Sequence, residues 1–199
     1  MTQKFSQSNL FSDFEGTVAL PEVSYKDWVS SRVEDIAKFE VEWGKRLQQA
    51  KDQRNAQAWE HYLNLYSGLF TLQDFKAISA KYSLNKIFES WCARFLRAHN
   101  YEKASLTIVT RGFAPITRHF FERQDTKKAL DSLNIFLVGI VGSEPFMDKR
   151  GVMKGLKSVV YLKRKFIKDG HIMLGDESEE KEFANYPYFV NLTKWGSSE

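Results

Sequence analysis

The sequence predicts an α/β fold, in which a mainly parallel sheet carries a helical block inserted after its first strand. Continuous apolar segments of strand length, such as Leu106–Thr110 and Ile135–Val141, alternate with segments of helical periodicity. This alternation is typical of a parallel sheet covered on both faces. From Ser24 to about His99, apolar residues recur at spacings of three and four, which predicts amphipathic helices.

The predicted elements follow one another in order along the chain. The first strand, Asn9–Phe14, ends on an acidic pair and turns through Gly16. Within the helical block, Ser24 and Thr71 are predicted N-caps. After the block, strands are predicted at Leu106–Thr110, Ile135–Val141, His171–Asp176 and Tyr188–Leu192, and helices near Pro115–Arg123 and from about Arg150 to Lys163.

This pattern predicts two domains. Residues 1–20 and 104–199 are expected to form the sheet domain, and residues 21–103 the inserted helical domain. An insert that follows the first strand lies above the carboxyl ends of the strands. In that position it can close over a site and exclude water.

The composition is that of a globular protein and excludes several classes of protein and of metal site. The chain has 199 residues, 43% hydrophobic and 27% charged, with a net charge of +4, which permits an anionic substrate without requiring nucleic acid. The single cysteine, Cys92, excludes an internal disulfide and a multi-cysteine metal site. The chain has no bilayer-length apolar run and no signal-peptide core, so we expect a cytoplasmic protein without a membrane partner.

One segment is strongly basic. Lys149–Lys168 contains eight basic residues and no acid, which a nucleic-acid-binding stripe would also show. Aromatic residues suited to base stacking are few there, namely Tyr161 and Phe166. We therefore interpret the segment as a solvated helix face, with its charge offset by the acidic turn that follows, and expect no nucleic-acid partner.

Polar residues end three of the predicted strands. Asp13 and Glu15 end the first, Thr110 the second and Asp176 a later one, and parallel strands bring such ends to one edge of the sheet. Asp13 and Asp176 can together hold a divalent cation through oxygen ligands, which suits Mg²⁺. A carboxylate such as Asp13 can also attack phosphorus. Lys149, before a predicted helix, favours a phosphate beside that helix N-terminus.

Four segments in this order resemble those of the haloacid-dehalogenase (HAD) superfamily. They are DFEGTV at Asp13–Val18, IVTRGF at Ile108–Phe113, Lys149, and LGDESEE at Leu174–Glu180. The helical block is similar to the cap of the phosphoserine-phosphatase-like branch. The resemblance covers nearly the whole chain and implies a Rossmann-like core with an all-helical cap inserted after the first strand.

The resemblance implies which residues carry the chemistry. Asp13 matches the nucleophile that becomes a phosphoaspartate. Glu15 matches the general acid/base, whose backbone carbonyl also contacts Mg²⁺, and Asp176 matches the metal ligand of the fourth motif. The implied metal site is therefore formed by Asp13, Glu15 and Asp176.

The resemblance also implies a phosphate site. Thr110 matches the hydroxyl that binds the phosphoryl group, with the amides of Arg111 and Gly112 beside it. Lys149 matches the lysine that steadies nucleophile and phosphate. We prefer Lys149 because it starts a predicted helix, whereas the alternatives lie inside that helix: Lys154 and Lys157.

Two positions depart from the family pattern. Glu15 replaces the usual second aspartate, and its extra methylene moves the carboxyl group by about 1.5 Å, a shift that catalytic geometry tolerates poorly. Glu180 stands where the fourth motif usually has a second aspartate, and Glu177 or Glu179 can substitute for it.

The resemblance implies a Mg²⁺-dependent phosphomonoester hydrolase that acts on a small phosphorylated metabolite through an aspartyl-phosphate. The alternatives are a catalytically impaired module that binds a ligand or protein, and a phosphotransferase. Glu22 lies nine residues after Asp13, at the offset of a substrate-recognising glutamate in the phosphoserine-phosphatase group. A solvent-facing linker acid is an equal interpretation of Glu22. The sequence specifies neither the substrate nor the oligomeric state.

Overall fold

The computed structural model describes residues 7–196, so residues 1–6 and 197–199 of the predicted sheet domain lie outside the described range. The strands are β1 (Gln7–Ser12), β2 (Ala19–Pro21), β3 (Tyr82–Leu84), β4 (Lys103–Phe113), β5 (Ile135–Met147), β6 (Met153–Ser158), β7 (Ile172–Gly175) and β8 (Phe189–Asn191). The helices are α1 (Tyr25–Val29), α2 (Ile36–Gln53), α3 (Ala56–Leu63), α4 (Leu72–Ser79), α5 (Lys86–Ala98), α6 (Ala114–Glu122), α7 (Gln124–Ser132), α8 (Glu180–Phe183) and α9 (Leu192–Gly196).

Within residues 7–196, six strands form one sheet in the order β6-β5-β4-β1-β7-β8. Strand β1 lies in the middle, and its Leu10 pairs with Leu106 of β4 on one side and Ile172 of β7 on the other, both in parallel. Strand β6, at one edge, runs antiparallel to β5. Because β1, β4 and β7 are parallel, the residues that follow them emerge at one edge of the sheet. The predicted α/β fold with a mainly parallel sheet is confirmed.

The helical block forms an insert between β2 and β4, made of α1–α5 and β3. Strand β3 pairs antiparallel with β2, with Leu20 opposite Ser83, so a two-stranded ribbon ties the insert to the chain leaving β1. The apolar core is continuous from sheet to insert, since Phe14 after β1 stacks on Tyr82 with ring centroids 5.1 Å apart. The division into two domains at residues 20 and 103 stays a prediction.

The helix predicted from about Arg150 to Lys163 is absent from the described chain, which forms strand β6 there. Strand β5 continues to Met147, beyond the predicted Val141, and β6 pairs with this extension. Gly151 turns the chain between the two strands with a φ of +74°, a value that favours glycine. In this segment, the hydrogen bonds between β5 and β6 stabilise a strand, although the sequence has the apolar periodicity of a helix. The glycines of the segment also disfavour a helix.

Because β6 replaces the predicted helix, the three candidate lysines do not lie at the start of a helix or within one. Lys149 lies in the exposed turn between β5 and β6, where Asp148 Oδ1 accepts from the backbone N–H groups of Arg150 and Val152. Lys154 and Lys157 are exposed on β6. The prediction that one of these lysines starts or lines a helix at the site is therefore wrong.

Among the described residues, no helix combines the length and the apolar character that a membrane span requires.

Asp74 joins the first part of the insert to α4. It closes a capping box with Thr71 at the start of α4, accepts two hydrogen bonds from the Arg32 guanidinium, each of 2.7 Å, and accepts a third from Trp28 Nε1 at 3.0 Å. Burial alone would raise the pKa of Asp74, but these donors outweigh it and hold the pKa well below its ordinary value. The carboxylate therefore fixes the segment that follows α1.

We expect Asp74→Ala to lower the free energy of unfolding by about 2–3 kcal/mol at neutral pH, because it removes a buried carboxylate that accepts hydrogen bonds from Arg32 and Trp28. The depressed pKa means that ionised Asp74 stabilises the folded state above the unfolded pKa, so the loss shrinks below about pH 4. Urea titrations at several pH values measure this. Asp131→Ala, an exposed change in α7, is the control and should cost less than about 0.5 kcal/mol. Equal losses in both variants would contradict the assignment.

Candidate active site

Asp13 directly follows β1 and has 6% of its surface exposed. Its backbone N–H donates to the carbonyl of Leu174 in β7 at 2.9 Å, which fixes the residue between two strands. Its Oδ1 accepts from the backbone N–H of Phe14 at 2.7 Å and from Lys163 Nζ at 2.6 Å. Both of these bonds end on Oδ1 rather than on Oδ2.

The lysine beside Asp13 is Lys163, which corrects the prediction of Lys149. Lys163 is 2% exposed and also donates to Glu179 Oε1 at 2.8 Å. It begins a short 3-10 turn and directly follows the apolar run Val159–Leu162. Asp13 and Asp176 are also charged residues at the end of an apolar run. The sequence pattern that indicated these two aspartates was therefore present for Lys163 as well.

Ser143 holds the chain that leads to Lys163. Its hydroxyl donates to the carbonyl of Arg111 at 2.8 Å and accepts from the backbone N–H of Val160 at 3.2 Å. Arg111 Nε in turn donates to the carbonyl of Tyr161 at 3.3 Å. The lysine is thus positioned by contacts between the end of β4, the middle of β5 and the segment after β6.

Three carboxylates, which we call the acid cluster, meet at this edge: Asp13, Asp176 and Glu179. Their ligand oxygens lie within 4.8 Å of one another. Asp176 Oδ1 accepts from the backbone N–H and hydroxyl of Ser178 at 2.8 and 2.5 Å. Its Oδ2 lies against Gly16, where a Cβ would be 2.5 Å away and φ is +78°. Glycine at position 16 therefore lets the turn after β1 approach Asp176.

Of the three glutamates in the fourth motif, Glu179 reaches the acid cluster. Glu180 instead pairs with Lys194 at 2.5 Å, and Glu177 is exposed. The residues after Asp176 form a 3-10 turn with Asp176 as its N-cap. In a 3-10 helix, side chains three positions apart are eclipsed, so Asp176 and Glu179 face the same side.

Two cations, the buried Lys163 and the half-buried Arg111, lie against these carboxylates. Lys163 and Arg111 each donate to Glu179 Oε1 at 2.8 Å, and Arg111 also pairs with Glu182. Burial alone would raise the pKa of Glu179, but the two cations outweigh it and lower the pKa. Burial raises the pKa of Asp13 from 3.8 to about 7, with Lys163 opposing the rise and Glu179 adding to it.

The acid cluster fits a divalent cation. Among the described residues, Glu179 Oε2 is buried and has no hydrogen-bond partner. A buried carboxylate oxygen in that state is costly, and a bound cation would satisfy it. The donor set consists of carboxylate oxygens alone, which is the set that Mg²⁺ prefers.

The predicted phosphate-binding residues lie beside the acid cluster. Thr110 is 3% exposed, and its Oγ1 accepts from the backbone N–H of Gly112 at 3.1 Å. A Cβ at Gly112 would stand 2.8 Å from the Tyr25 hydroxyl and 3.5 Å from Glu15 Oε1. The Arg111 side chain points to the acids and lies over the Trp59 ring, 5.4 Å from its centroid.

Glu15 is held by two tyrosines of the insert. The hydroxyl of Tyr82 donates to Glu15 Oε1 at 2.6 Å, and the hydroxyl of Tyr25 donates to the same oxygen. Burial, and then the neighbouring Glu15 carboxylate, raise the pKa of both tyrosines far above the ordinary value. Both hydroxyls therefore keep their protons and remain donors. The contact of these two tyrosines with Glu15 was not predictable from their spacing in the sequence.

The remaining candidate, Glu22, lies elsewhere. It is exposed in the segment after β2, where its backbone N–H donates to the carbonyl of Lys81 at 2.9 Å. Within the described chain, the cavity of about 330 Å³ above Asp13 and Glu15 is lined by other residues. The structure therefore does not bring Glu22 to the acid cluster.

We expect Lys163→Met in metal-free protein to lower the free energy of unfolding by about 3–5 kcal/mol near pH 8, because it removes the cation bonded to buried Asp13 and one of the two cations bonded to Glu179. Near about pH 5 the loss should be smaller, since the raised pKa of Asp13 lets the folded protein bind a proton instead. Urea titration with a chelator present measures both values. Lys149→Met is the matched control and should change stability by less than about 0.5 kcal/mol; similar losses for the two lysines would refute the assignment.

Comparison with known proteins gives structural matches. No protein-family profile and no curated protein matches the sequence. Among solved structures, a phosphoserine phosphohydrolase-like protein from Francisella tularensis has a TM-score of 0.55 at 17% identity, covering 96% of this chain and 99% of its own. The phosphoserine phosphatase from T. onnurineus has a TM-score of 0.54 at 13% identity, with coverages of 100% and 96%.

A HAD family hydrolase from Salmonella enterica serovar Typhi has a TM-score of 0.58 at 10% identity, covering 89% of this chain and 59% of its own. At identities this low, the structural likeness shows the fold alone. The chain therefore has the fold of the haloacid-dehalogenase superfamily, in the form found in phosphoserine-phosphatase-like proteins.

Proposed function

We propose that the protein is a Mg²⁺-dependent phosphomonoester hydrolase that acts on a small phosphorylated metabolite through an aspartyl-phosphate. The observation that carries the proposal is the Asp13 carboxylate, which is buried at the edge of the sheet and bonded through one oxygen to Lys163 at 2.6 Å. Such a carboxylate is a positioned nucleophile with a fixed cation beside it. The similar structure from T. onnurineus is a phosphoserine phosphatase, which supports the same class of reaction.

In the first step, Asp13 Oδ2 attacks phosphorus and the bond between phosphorus and the ester oxygen breaks. Glu15 gives a proton to the leaving alkoxide, so an alcohol departs and Asp13 carries the phosphoryl group. In the second step, Glu15 takes a proton from water, and the oxygen of that water attacks phosphorus. The bond between phosphorus and Asp13 breaks, inorganic phosphate leaves, and both carboxyl groups return to their starting states.

Asp13, Asp176 and the backbone carbonyl of Glu15 are the proposed Mg²⁺ ligands. Glu179 joins them through Oε2, the buried oxygen that lacks a partner among the described residues. When bound, Mg²⁺ supplies a fixed positive charge that offsets the carboxylates and attracts the phosphoryl oxygens.

The phosphoryl group is proposed to lie against the end of β4. The Thr110 hydroxyl and the amides of Arg111 and Gly112 bind its oxygens. Lys163 takes the role that the sequence suggested for Lys149, since its ammonium group already bonds the nucleophile. The Arg111 side chain is committed to Glu179 and Glu182, so this residue serves the phosphate through its backbone.

The two tyrosines on Glu15 favour an active enzyme over an impaired module. Tyr25 and Tyr82 both donate to Oε1, which fixes the longer side chain and leaves Oε2 to exchange a proton with the leaving group. The extra methylene of Glu15 is thereby accommodated by donors from the insert. Glu15 in this setting has the anchoring that the general acid/base role requires.

The first test is hydrolysis of p-nitrophenyl phosphate with Mg²⁺ and with a chelator. We expect turnover that the chelator abolishes and that Asp13→Asn lowers by at least about 1,000-fold, because the amide cannot attack phosphorus. Asp131→Asn, in an exposed position, is the control and should keep full activity. Absence of Mg²⁺-dependent turnover, or equal turnover in Asp13→Asn, would refute the proposal.

The second test concerns the anchoring of Glu15 and uses benzyl phosphate, whose leaving alkoxide needs a proton. We expect Tyr82→Phe to lower kcat by about 10-fold or more, since it removes a hydrogen bond to a charged group, with a smaller change in KM. In a Glu15→Gln background the same change should have little further effect. Tyr188→Phe, which is exposed, is the control.

Two outcomes would contradict this account of Glu15. One is an equal loss from Tyr82→Phe whether or not Glu15 is present, which would make the tyrosine merely structural. The other is a rise in kcat for Glu15→Asp, since the shorter side chain should lose the tyrosine bonds and lower activity. Such a rise would favour the alternative in which this chain is an impaired module.

A further inference from the structure

The cavity above Asp13 and Glu15 has a volume of about 330 Å³ and is walled on the insert side by aromatic rings. These rings come from α1, from α2, from the segment of α3 and its following turn, and from β3. The insert residues with rings in the wall are Tyr25, Trp43, Trp59, Tyr62, Tyr66 and Tyr82. Because Glu15 faces this wall, the leaving group of a phosphoester bound at Asp13 must lie against it.

The polar atoms of the wall are bonded to one another or to Glu15, except Trp59 Nε1, which is buried and has no hydrogen-bond partner among the described residues. Trp43 Nε1 donates to the Tyr66 hydroxyl at 2.9 Å, and the hydroxyls of Tyr62 and Tyr66 are 3.5 Å apart. The hydroxyls of Tyr25 and Tyr82 are used by Glu15. The wall therefore presents ring surface to a ligand and has few donors or acceptors to spare.

A polar alcohol is poorly suited to such a wall. A hydroxylated or zwitterionic group would lose hydrogen bonds to water on entering and would regain few of them from the rings, although Lys26 and Lys51 line the same cavity. A flat aromatic group loses few hydrogen bonds to water on entering the cavity, and it gains contacts with the rings of the wall. Glu22, the acid that the sequence offered for a substrate ammonium group, lies outside this cavity.

A quaternary ammonium group, which aromatic walls can also bind, is opposed by the cations already present. Lys26 Nζ lies 5.5 Å from the centroid of the Trp43 ring, and the Arg111 guanidinium lies 5.4 Å from that of Trp59. Lys51 lines the same cavity. Each cation would repel a second positive charge at the rings.

We propose that the leaving group of the substrate is a flat aromatic alcohol, so that the enzyme hydrolyses arylalkyl or aryl phosphates in preference to phosphoserine or sugar-type phosphates. This inference rests on the proposed phosphatase function and adds the substrate class. It assigns the specificity to the ring wall of the insert, where Trp43 and Leu47 of α2 line the cavity.

The test compares kcat/KM for 2-naphthylmethyl phosphate and benzyl phosphate with that for phosphoserine, glycerol 3-phosphate and phosphocholine. All five release alkoxides, so the comparison reports recognition more than the reactivity of the leaving group. We expect the two aromatic esters to exceed the others by at least about 100-fold. Trp43→Leu should reduce this preference by at least about tenfold, whereas Trp195→Leu, in α9, should keep it. Leu47→Ser, a smaller change in the same wall, provides a second variant if Trp43→Leu does not fold.

The outcomes separate the two proposals. If Asp13-dependent turnover is present but glycerol 3-phosphate, phosphoserine or phosphocholine equals or exceeds the aromatic esters, the substrate class is wrong and the phosphatase function stands. If the preference is present but survives both wall variants, the assignment to the ring wall is wrong. If none of the five esters, nor p-nitrophenyl phosphate, is hydrolysed with Mg²⁺, both proposals fail together.

Discussion

The site depends on one buried ion pair, in which Lys163 bonds Asp13 at 2.6 Å and Glu179 at 2.8 Å. Two carboxylates this deeply buried are tolerated because a cation lies between them. The lysine and a backbone amide both end on Oδ1 of Asp13. The proposed nucleophile, metal ligands and phosphate site are thus arranged around a single ammonium group.

The position of that ammonium group follows from the path of the chain at the edge of the sheet formed by β5 and β6. Strand β5 extends beyond its parallel partner, β6 folds back along the extension, and the chain then crosses toward the end of β4. Ser143 locks this crossing by bonding both Arg111 and Val160. The antiparallel edge strand therefore contributes to the candidate site, because its return path delivers Lys163.

Strand-end residues were predictable from the sequence because they depend on local pattern. Asp13, Thr110 and Asp176 each follow an apolar run, and parallel pairing brings them together. Lys163 also follows an apolar run, but the helix predicted over this segment hid that signal, because strand β6 and its return path are set by tertiary contacts. Glu179 was open to prediction only as one of three glutamates, because a single 3-10 turn decides which of them faces Asp176.

In the proposed mechanism, the insert contributes to the chemistry as well as to the enclosure of the site. Tyr25 and Tyr82 come from opposite ends of it, yet both bond one oxygen of Glu15. A carboxylate one methylene longer than that of the family pattern needs such anchoring. Its additional rotatable bond increases the conformational freedom of the side chain, whereas catalysis requires a fixed position. Since the same insert provides the ring wall, its placement sets both the orientation of the proposed acid/base and the space for the leaving group. A change that shifts the insert should therefore alter rate and specificity together.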